Sequence, residues 1–155
     1  MPQVSIITPC YNSSEFLEET IQSVLNQTFT DWEWLITDDM STDNSLEIIK
    51  KYNDSRIKQF STKINAGAGA ARNISLENAK GRYIAFIDSD DVWEKNYLEE
   101  MIGFLQTNKE ELVYCNYARC DENLIPKLAD FQADIDVTFQ NTLKTCRLFV
   151  SASIY

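Results

Sequence analysis

The chain has 155 residues, 24 acidic against 14 basic side chains, a formal net charge of −10 and no histidine. Its length fits one domain able to bury roughly 68–70% of its unfolded surface, and 44% apolar with 12% aromatic residues is a globular composition. Without histidine there is no Ser-His-Asp or Cys-His nucleophile, no H-E-x-x-H zinc site and no two-His-one-carboxylate iron centre. The acidic balance disfavours nucleic acid and anionic lipid, which are held by clustered Lys and Arg. An anionic ligand would need a metal ion, an Arg or a helix N-terminus to supply positive charge.

The first strand is Val4-Ser5-Ile6-Ile7-Thr8, stopped by Pro9. Asn12 then reads as a helix N-cap, with Glu15 three residues on, and Leu17, Ile21, Val24 and Leu25 form one apolar stripe. Trp34-Leu35-Ile36-Thr37 is a second strand with Trp32 packed beside it. It ends at Asp38-Asp39, and Ser41-Thr42-Asp43 caps a helix carrying Leu46, Ile49 and Tyr52, with Lys50 and Lys51 on its solvated face. A short strand near Ile57 to Phe60 precedes a flexible turn from Asn65 to Gly69. A helix from about Ala70 follows, stopped by Gly81. Tyr83-Ile84-Ala85-Phe86-Ile87 is apolar throughout, the pattern of a central strand covered on both faces. After Asp88-Ser89-Asp90-Asp91, a fourth helix carries Trp93, Tyr97, Met101, Phe104 and Leu105, and a fifth strand is predicted at residues 112–117. Residues 121–145 carry no assignable pattern, and Leu148 to Tyr155 is an apolar run like a strand cut off mid-domain.

Alternating strands and helices predict an α/β fold with a mainly parallel sheet flanked by helices. No segment has the apolar length to cross a membrane, and the amino end has no signal-peptide pattern. Cys10, Cys115, Cys120 and Cys146 form no C-x-x-C pair and read as reduced, mostly buried thiols of a cytoplasmic protein.

Ligands of open α/β sheets bind beyond the carboxyl ends of the strands. Three such ends are chemically distinctive: Pro9, Tyr11 and Asn12; Asp38 and Asp39; and Asp88, Asp90 and Asp91. Three carboxylates within four residues repel one another and call for a counter-charge, and carboxylate oxygens suit Mg²⁺ or Mn²⁺. If the backbone stays extended, Asp88 and Asp90 point the same way. An acidic strand end is equally an ordinary cap or solvated turn, and Asp91 is free to cap the next helix while Asp88 and Asp90 serve a ligand. Arg72 follows a small-residue turn and offers a rigid donor fork, although a lone Arg also serves as a surface ion-pair residue. Tyr11 has the face to stack on a base, yet an aromatic at a strand end is often core.

In order, the motifs Val4 to Asn12, Ser23 to Phe29, Asp38-Asp39-Met40-Ser41-Thr42-Asp43, Asn65-Ala66-Gly67 with Ala71-Arg72-Asn73, and Gly81 to Asp91 resemble the family 2 inverting glycosyltransferases of the GT-A fold. The resemblance implies a Rossmann-like, mainly parallel sheet that binds a nucleotide-diphospho-sugar, with uridine the leading base. Pro9 and Tyr11 would flank the nucleoside, Asp39 would contact the base and Arg72 would lie near the nucleotide. Asp88 and Asp90 match the D-x-D element, the first facing ribose or sugar and the second holding Mn²⁺ or Mg²⁺. An acceptor hydroxyl, on a glycan or a lipid-linked carrier, would attack the anomeric carbon after deprotonation by a carboxylate base. Members of the family build polysaccharide or cell-surface glycans, often at the inner face of the membrane.

The sequence departs from the pattern at two points. Met40 replaces a common Gly, so the turn is expected to differ or to keep a negative φ, and Lys95 replaces a common Pro. Residues 3–117 are expected to form the donor-binding part and 118–155 the start of the acceptor side, in a single domain that is apparently truncated. The base is expected beyond Tyr155, because Glu110, Glu111, Asp121, Asp130, Asp134 and Asp136 lie in no matching motif. On this expectation the 155 residues bind a nucleoside diphosphate with Mn²⁺ but transfer no sugar. A noncatalytic nucleotide-sugar-binding module is the main alternative. A receiver-like signalling domain would need an acidic pair after the first strand, where Thr8-Pro9-Cys10 stands, and a nucleotidyltransferase would need a Gly-rich basic loop there.

Overall fold

Strand β1 (Val4–Cys10) is β-branched at its start, and all seven of its residues are buried. A computed structural model describes residues 1–121, 123–125 and 153–155. The expectations placed on residues 122 and 126–145, on Cys146 and on residues 148–152 lie outside them. The elements that follow β1 are α1 (Leu17–Leu25), β2 (Trp32–Asp38), α2 (Ser45–Lys51), β3 (Ile57–Ser61), α3 (Ala68–Asn78), β4 (Tyr83–Phe86), α4 (Tyr97–Asn108), β5 (Val113–Tyr114) and β6 (Ser153–Ile154).

Among the described residues the sheet runs β3-β2-β1-β4-β6-β5. The first four strands are parallel, and β6 is antiparallel to both β4 and β5. This order is not the 2-1-3-4-5 order of receiver-like folds. It reverses direction between β1 and β4, and a crevice opens at such a switch point beyond the carboxyl ends of the strands.

β1 does not stop at Pro9 but continues to Cys10, with Pro9 in register with Thr37. The strand tolerates the missing N–H because of which way the residue faces. The Ile7 carbonyl accepts from Ile87 N–H on the β4 side, and the Cys10 carbonyl accepts from Asp39 N–H on the β2 side. Pro9 therefore faces β4, whose pairing with β1 ends at Phe86.

The core joins Ile6, Trp34, Ile36 and Ala85 of the sheet to Leu17, Ile21 and Val24 of α1 and to Leu98, Ile102 and Leu105 of α4. The predicted stripe of α1 is correct, but its start is not: the helix begins at Leu17, and Phe16, not Asn12, is the N-cap. On α4, Leu98 and Ile102 replace the expected Phe104, which is 52% exposed. Trp93 lies before the helix and stacks on Tyr97 with centroids 4.5 Å apart. β4 alternates buried and half-buried residues rather than being covered on both faces, and the fifth strand shrinks to Val113–Tyr114. Of the described cysteines Cys10 alone is buried; all three are free thiols.

At the amino ends of the strands a carboxylate is locked into the sheet. Glu33 is buried, and its Oε1 accepts from Ser5 Oγ at 2.7 Å and from Lys80 N–H at 2.7 Å. Its Oε2 accepts from Lys58 Nζ at 2.5 Å. Gly81 is not the helix stop, since α3 ends at Asn78 with Ala79 as C-cap. Gly81 is needed for close approach: a Cβ there would lie 2.3 Å from the Ser5 backbone nitrogen. Among the described residues, no helix is long and apolar enough to cross a membrane.

Candidate active site

The carboxyl ends of β1, β2 and β4 release three loops onto one edge of the sheet. The first presents Tyr11, which is 48% exposed and so is not a core aromatic. Asn12, expected as a helix cap, has a left-handed φ of 49°. Its Oδ1 accepts from Thr42 N–H at 2.8 Å, and its own N–H donates to Ser41 Oγ at 3.0 Å. Asn12 and Ser41, which read as caps in the sequence, are instead ties between loops, and the N-cap of α2 is Asn44.

Asp43 completes the tie. Its Oδ2 accepts from Ser14 N–H at 2.9 Å, and its Oδ1 accepts from Ser45 N–H and, at 2.6 Å, from Ser45 Oγ. Burial alone would raise its pKa, but these bonds outweigh that and hold the carboxyl far below the usual carboxylate range. Ser13 N–H donates to Ser45 Oγ at 2.9 Å, and the hydroxyls of Ser13 and Ser89 lie 2.6 Å apart, which joins the first loop to the acidic turn after β4. Underneath, burial and the nearby Asp38 charge push the Cys10 thiol up to about 11, so it is an inert thiol.

Asp39 is 2% exposed. Its Oδ1 accepts from Thr62 Oγ1 at 2.7 Å and from Ala66 N–H at 3.0 Å, and its Oδ2 accepts from Gly67 N–H at 2.6 Å. Burial would raise its pKa, but the three bonds outweigh it and hold the group ionised. Asp39 therefore shapes the turn before α3, where Gly67 has a φ of 87°. Met40 beside it is exposed with a φ of 65°, so the turn keeps a glycine-like conformation despite the side chain, contrary to the expected negative φ.

Residues 88–91 are not extended. Asp91 N–H donates to the Asp88 carbonyl at 3.1 Å, closing a turn that ends the alternation on which a shared direction for Asp88 and Asp90 depended. Asp91 does not cap α4, whose N-cap is Asn96. Asp90 is exposed on the turn, whereas Asp88 Oδ1 accepts from Arg72 at 2.5 Å. Among the described residues Arg72 Nε is buried without a partner, a donor that none of them satisfies. Pro9, named with Tyr11 as a nucleoside contact, is buried within β1, which leaves Tyr11 as the exposed one of the two.

From behind, Gln27 donates to the Glu94 carbonyl at 2.7 Å and accepts from Leu98 N–H at 3.0 Å, which fixes the connection from the acidic turn to α4. Its surroundings at Ser23 to Phe29 match the family motif, but nothing in the sequence alone assigned Gln27 a task. A cleft of about 620 Å³ lined by Glu18, Gln22, Val92, Trp93, Lys95 and Leu124 lies against α1 and contains none of the site side chains.

Among the described residues no group of three or more His, Cys, Asp or Glu could cage a metal. The donor set fits a hard cation held by one or two carboxylates and completed by water and ligand oxygens, as Mg²⁺ and Mn²⁺ accept.

Residues 5–142 match the family described as glycosyl transferase family 2. The chain belongs to this family. It is 41% identical over 143 residues to the UDP-Glc:alpha-D-GlcNAc-diphosphoundecaprenol beta-1,3-glucosyltransferase WfgD of Escherichia coli, covering 92% of this chain and 56% of that protein. It is 39% identical over 145 residues to the putative teichuronic acid biosynthesis glycosyltransferase TuaG of Bacillus subtilis, covering 92% and 58%. The crystal structure of S. aureus TarS 1–349 in complex with UDP-GlcNAc superposes with a TM-score of 0.82 at 28% identity, covering 100% of this chain and 45% of that one. The fold is thus the GT-A type expected from the motifs, and the chain spans somewhat more than half the length of the curated relatives it matches.

Proposed function

We propose that residues 3–117 bind a nucleoside diphosphate-sugar, UDP-linked by preference, and that the whole protein transfers its sugar to a hydroxyl of a glycan or lipid-linked acceptor. One observation carries this reading: exposed Tyr11, exposed Asp90 and the buried, unpartnered Arg72 Nε meet at the switch point of a family 2 glycosyltransferase sheet. The names of two relatives, a UDP-glucose enzyme acting on a diphosphoundecaprenol acceptor and a UDP-GlcNAc complex, support both the base and the acceptor class.

Tyr11 offers its ring to the face of the base. Pro9 contributes the wall beneath it, and Asp39 holds the Thr62–Gly67 turn that borders the base, with one Oδ2 lone pair left for a base N–H. Arg72, aligned by Asp88, directs its remaining donors at the diphosphate. Asp90, with Asp88, would hold Mn²⁺ or Mg²⁺, which when bound neutralises the departing diphosphate. A chain of net charge −10 needs such help to hold a diphosphate. Attack by the acceptor hydroxyl opposite the leaving group, with a carboxylate taking its proton, inverts the anomeric centre. The base is assigned to none of the described residues. A lipid-linked acceptor would place the reaction at the inner face of the cytoplasmic membrane, with the protein peripheral.

Calorimetric titration of UDP, GDP and dTDP, each with Mn²⁺ and with a chelator, tests the reading. Metal-dependent binding with UDP preferred is the expected result. Binding by none of the three removes the proposal.

A further inference from the structure

Two loops reach the site from distant parts of the chain, the Tyr11 loop after β1 and the acidic turn after β4. They are joined by a buried pair of hydroxyls, Ser13 Oγ and Ser89 Oγ, 2.6 Å apart, on residues 9% and 7% exposed. Ser13 Oγ also donates to the Tyr11 carbonyl at 3.3 Å. A hydroxyl has one proton, so with Ser13 donating there, Ser89 is the donor to Ser13. On the other side, Ser13 N–H donates to Ser45 Oγ, whose proton goes to Asp43 Oδ1. The result is one directed chain of bonds from the α2 start through the Tyr11 loop to the middle residue of Asp88-Ser89-Asp90. Ser89 shares its backbone with both acidic neighbours, so fixing its side chain fixes the turn that displays them.

Resting on the nucleotide-sugar reading above, we propose that Ser13 and Ser89 are positioning residues that couple nucleoside recognition at Tyr11 to cation recognition at the acidic turn. Neither touches the ligand. The Ser89 hydroxyl is occupied inside the protein and leaves metal binding to its neighbours, while Ser13 sets where the turn stands relative to the base. Outer partners that orient metal ligands typically matter by about 10–100-fold in metal affinity. A purely structural role would instead lower stability and weaken UDP alike with and without metal.

The test measures UDP affinity with Mn²⁺ and with chelator in the unaltered chain, in Ser13→Ala, in Ser89→Ala and in the double variant. In each single variant the Mn²⁺-induced tightening should fall by about tenfold, with metal-free affinity within about twofold. The double variant should be no worse than either single, as one shared interaction requires. Folded variants that keep the full Mn²⁺ tightening, or that lose affinity equally with and without metal, overturn the proposal. If the unaltered chain binds no UDP, the nucleotide reading itself has failed; if it binds UDP without metal dependence, nucleotide recognition stands and the cation reading has failed together with the coupling; if it binds UDP with metal dependence that the variants keep, the coupling alone has failed. Should either Ala variant not fold, Mg²⁺ titration of the unaltered, UDP-saturated chain by amide NMR decides. The Ser45 amide, behind the loop, should move with the same midpoint as the Asp90 amide, and a stationary Ser45 overturns the coupling.

Discussion

At the amino ends of the strands, Glu33 is buried and its oxygens take Ser5, the Lys80 N–H and Lys58. At the carboxyl ends, Asp39 is just as buried and its oxygens take Thr62 and the N–H groups of Ala66 and Gly67. Both carboxylates stay ionised because donors outweigh burial. Glu33 fastens strands and the α3–β4 connection to one another, and Gly81 lets the backbone close over Ser5. Asp39 and Asp43 fasten loops, and those loops leave Tyr11, Met40 and Asp90 exposed and Arg72 Nε unpartnered. The same device closes one edge of the sheet and holds the other open in a fixed shape. Stability and ligand binding should therefore separate by edge.

The largest effect belongs to the closed edge. Gly81→Ala forces a methyl against the Ser5 backbone and should cost about 3 kcal/mol or more in urea denaturation. A loss under about 1 kcal/mol would show that the edge is not tightly closed. Glu33→Gln keeps an acceptor for Ser5 but loses the charge facing Lys58 and should cost about 2 kcal/mol at neutral pH. Burial would raise the Glu33 pKa, but the bonds from Lys58, Ser5 and Lys80 lower it, so its stabilisation is full above about pH 4.5 and is lost as pH falls through the lower folded value. The variant should flatten stability against pH in that acid range, and an unchanged slope would remove Glu33 from the lock.

At the open edge the order of effects is reversed. Tyr11→Ala should leave stability within about 0.5 kcal/mol, as an exposed substitution does. It should weaken UDP by about 1–2 kcal/mol, the scale of aromatic–base stacking, read by calorimetry. The smallest change expected is Met40→Gly. It relieves a left-handed residue and should raise stability by about 0.5–1 kcal/mol, net of glycine's greater freedom in the unfolded chain.

The open edge was also the more legible in the sequence. Strand ends carrying Tyr11, Asp39, Asp88 and Asp90 mark it, and the parallel α/β order follows from alternating strands and helices. The ties between loops were missed because Asn12, Ser41, Asp43 and Ser45 are also the residues that cap helices, and sequence spacing does not separate a cap from a bond to a loop 30 residues away. Glu33 stands one residue before the strand predicted from Trp34, and only the neighbouring strands of the folded sheet reveal its donors. Gly81 sits where a helix stop belongs, and its packing against Ser5 is a contact 76 residues apart. Met40 shows its strain only in the folded backbone, through a φ of 65°.

The central claim is that the acidic turn binds a cation together with a nucleoside diphosphate. It is tested most directly by titrating UDP, with and without Mn²⁺, into this chain and into Asp90→Asn. UDP binding that Mn²⁺ tightens in the unaltered chain, with the tightening lost in Asp90→Asn and metal-free affinity retained, is the expected result. Equal tightening by Mn²⁺ in both proteins, or no UDP binding by the unaltered chain, would contradict it.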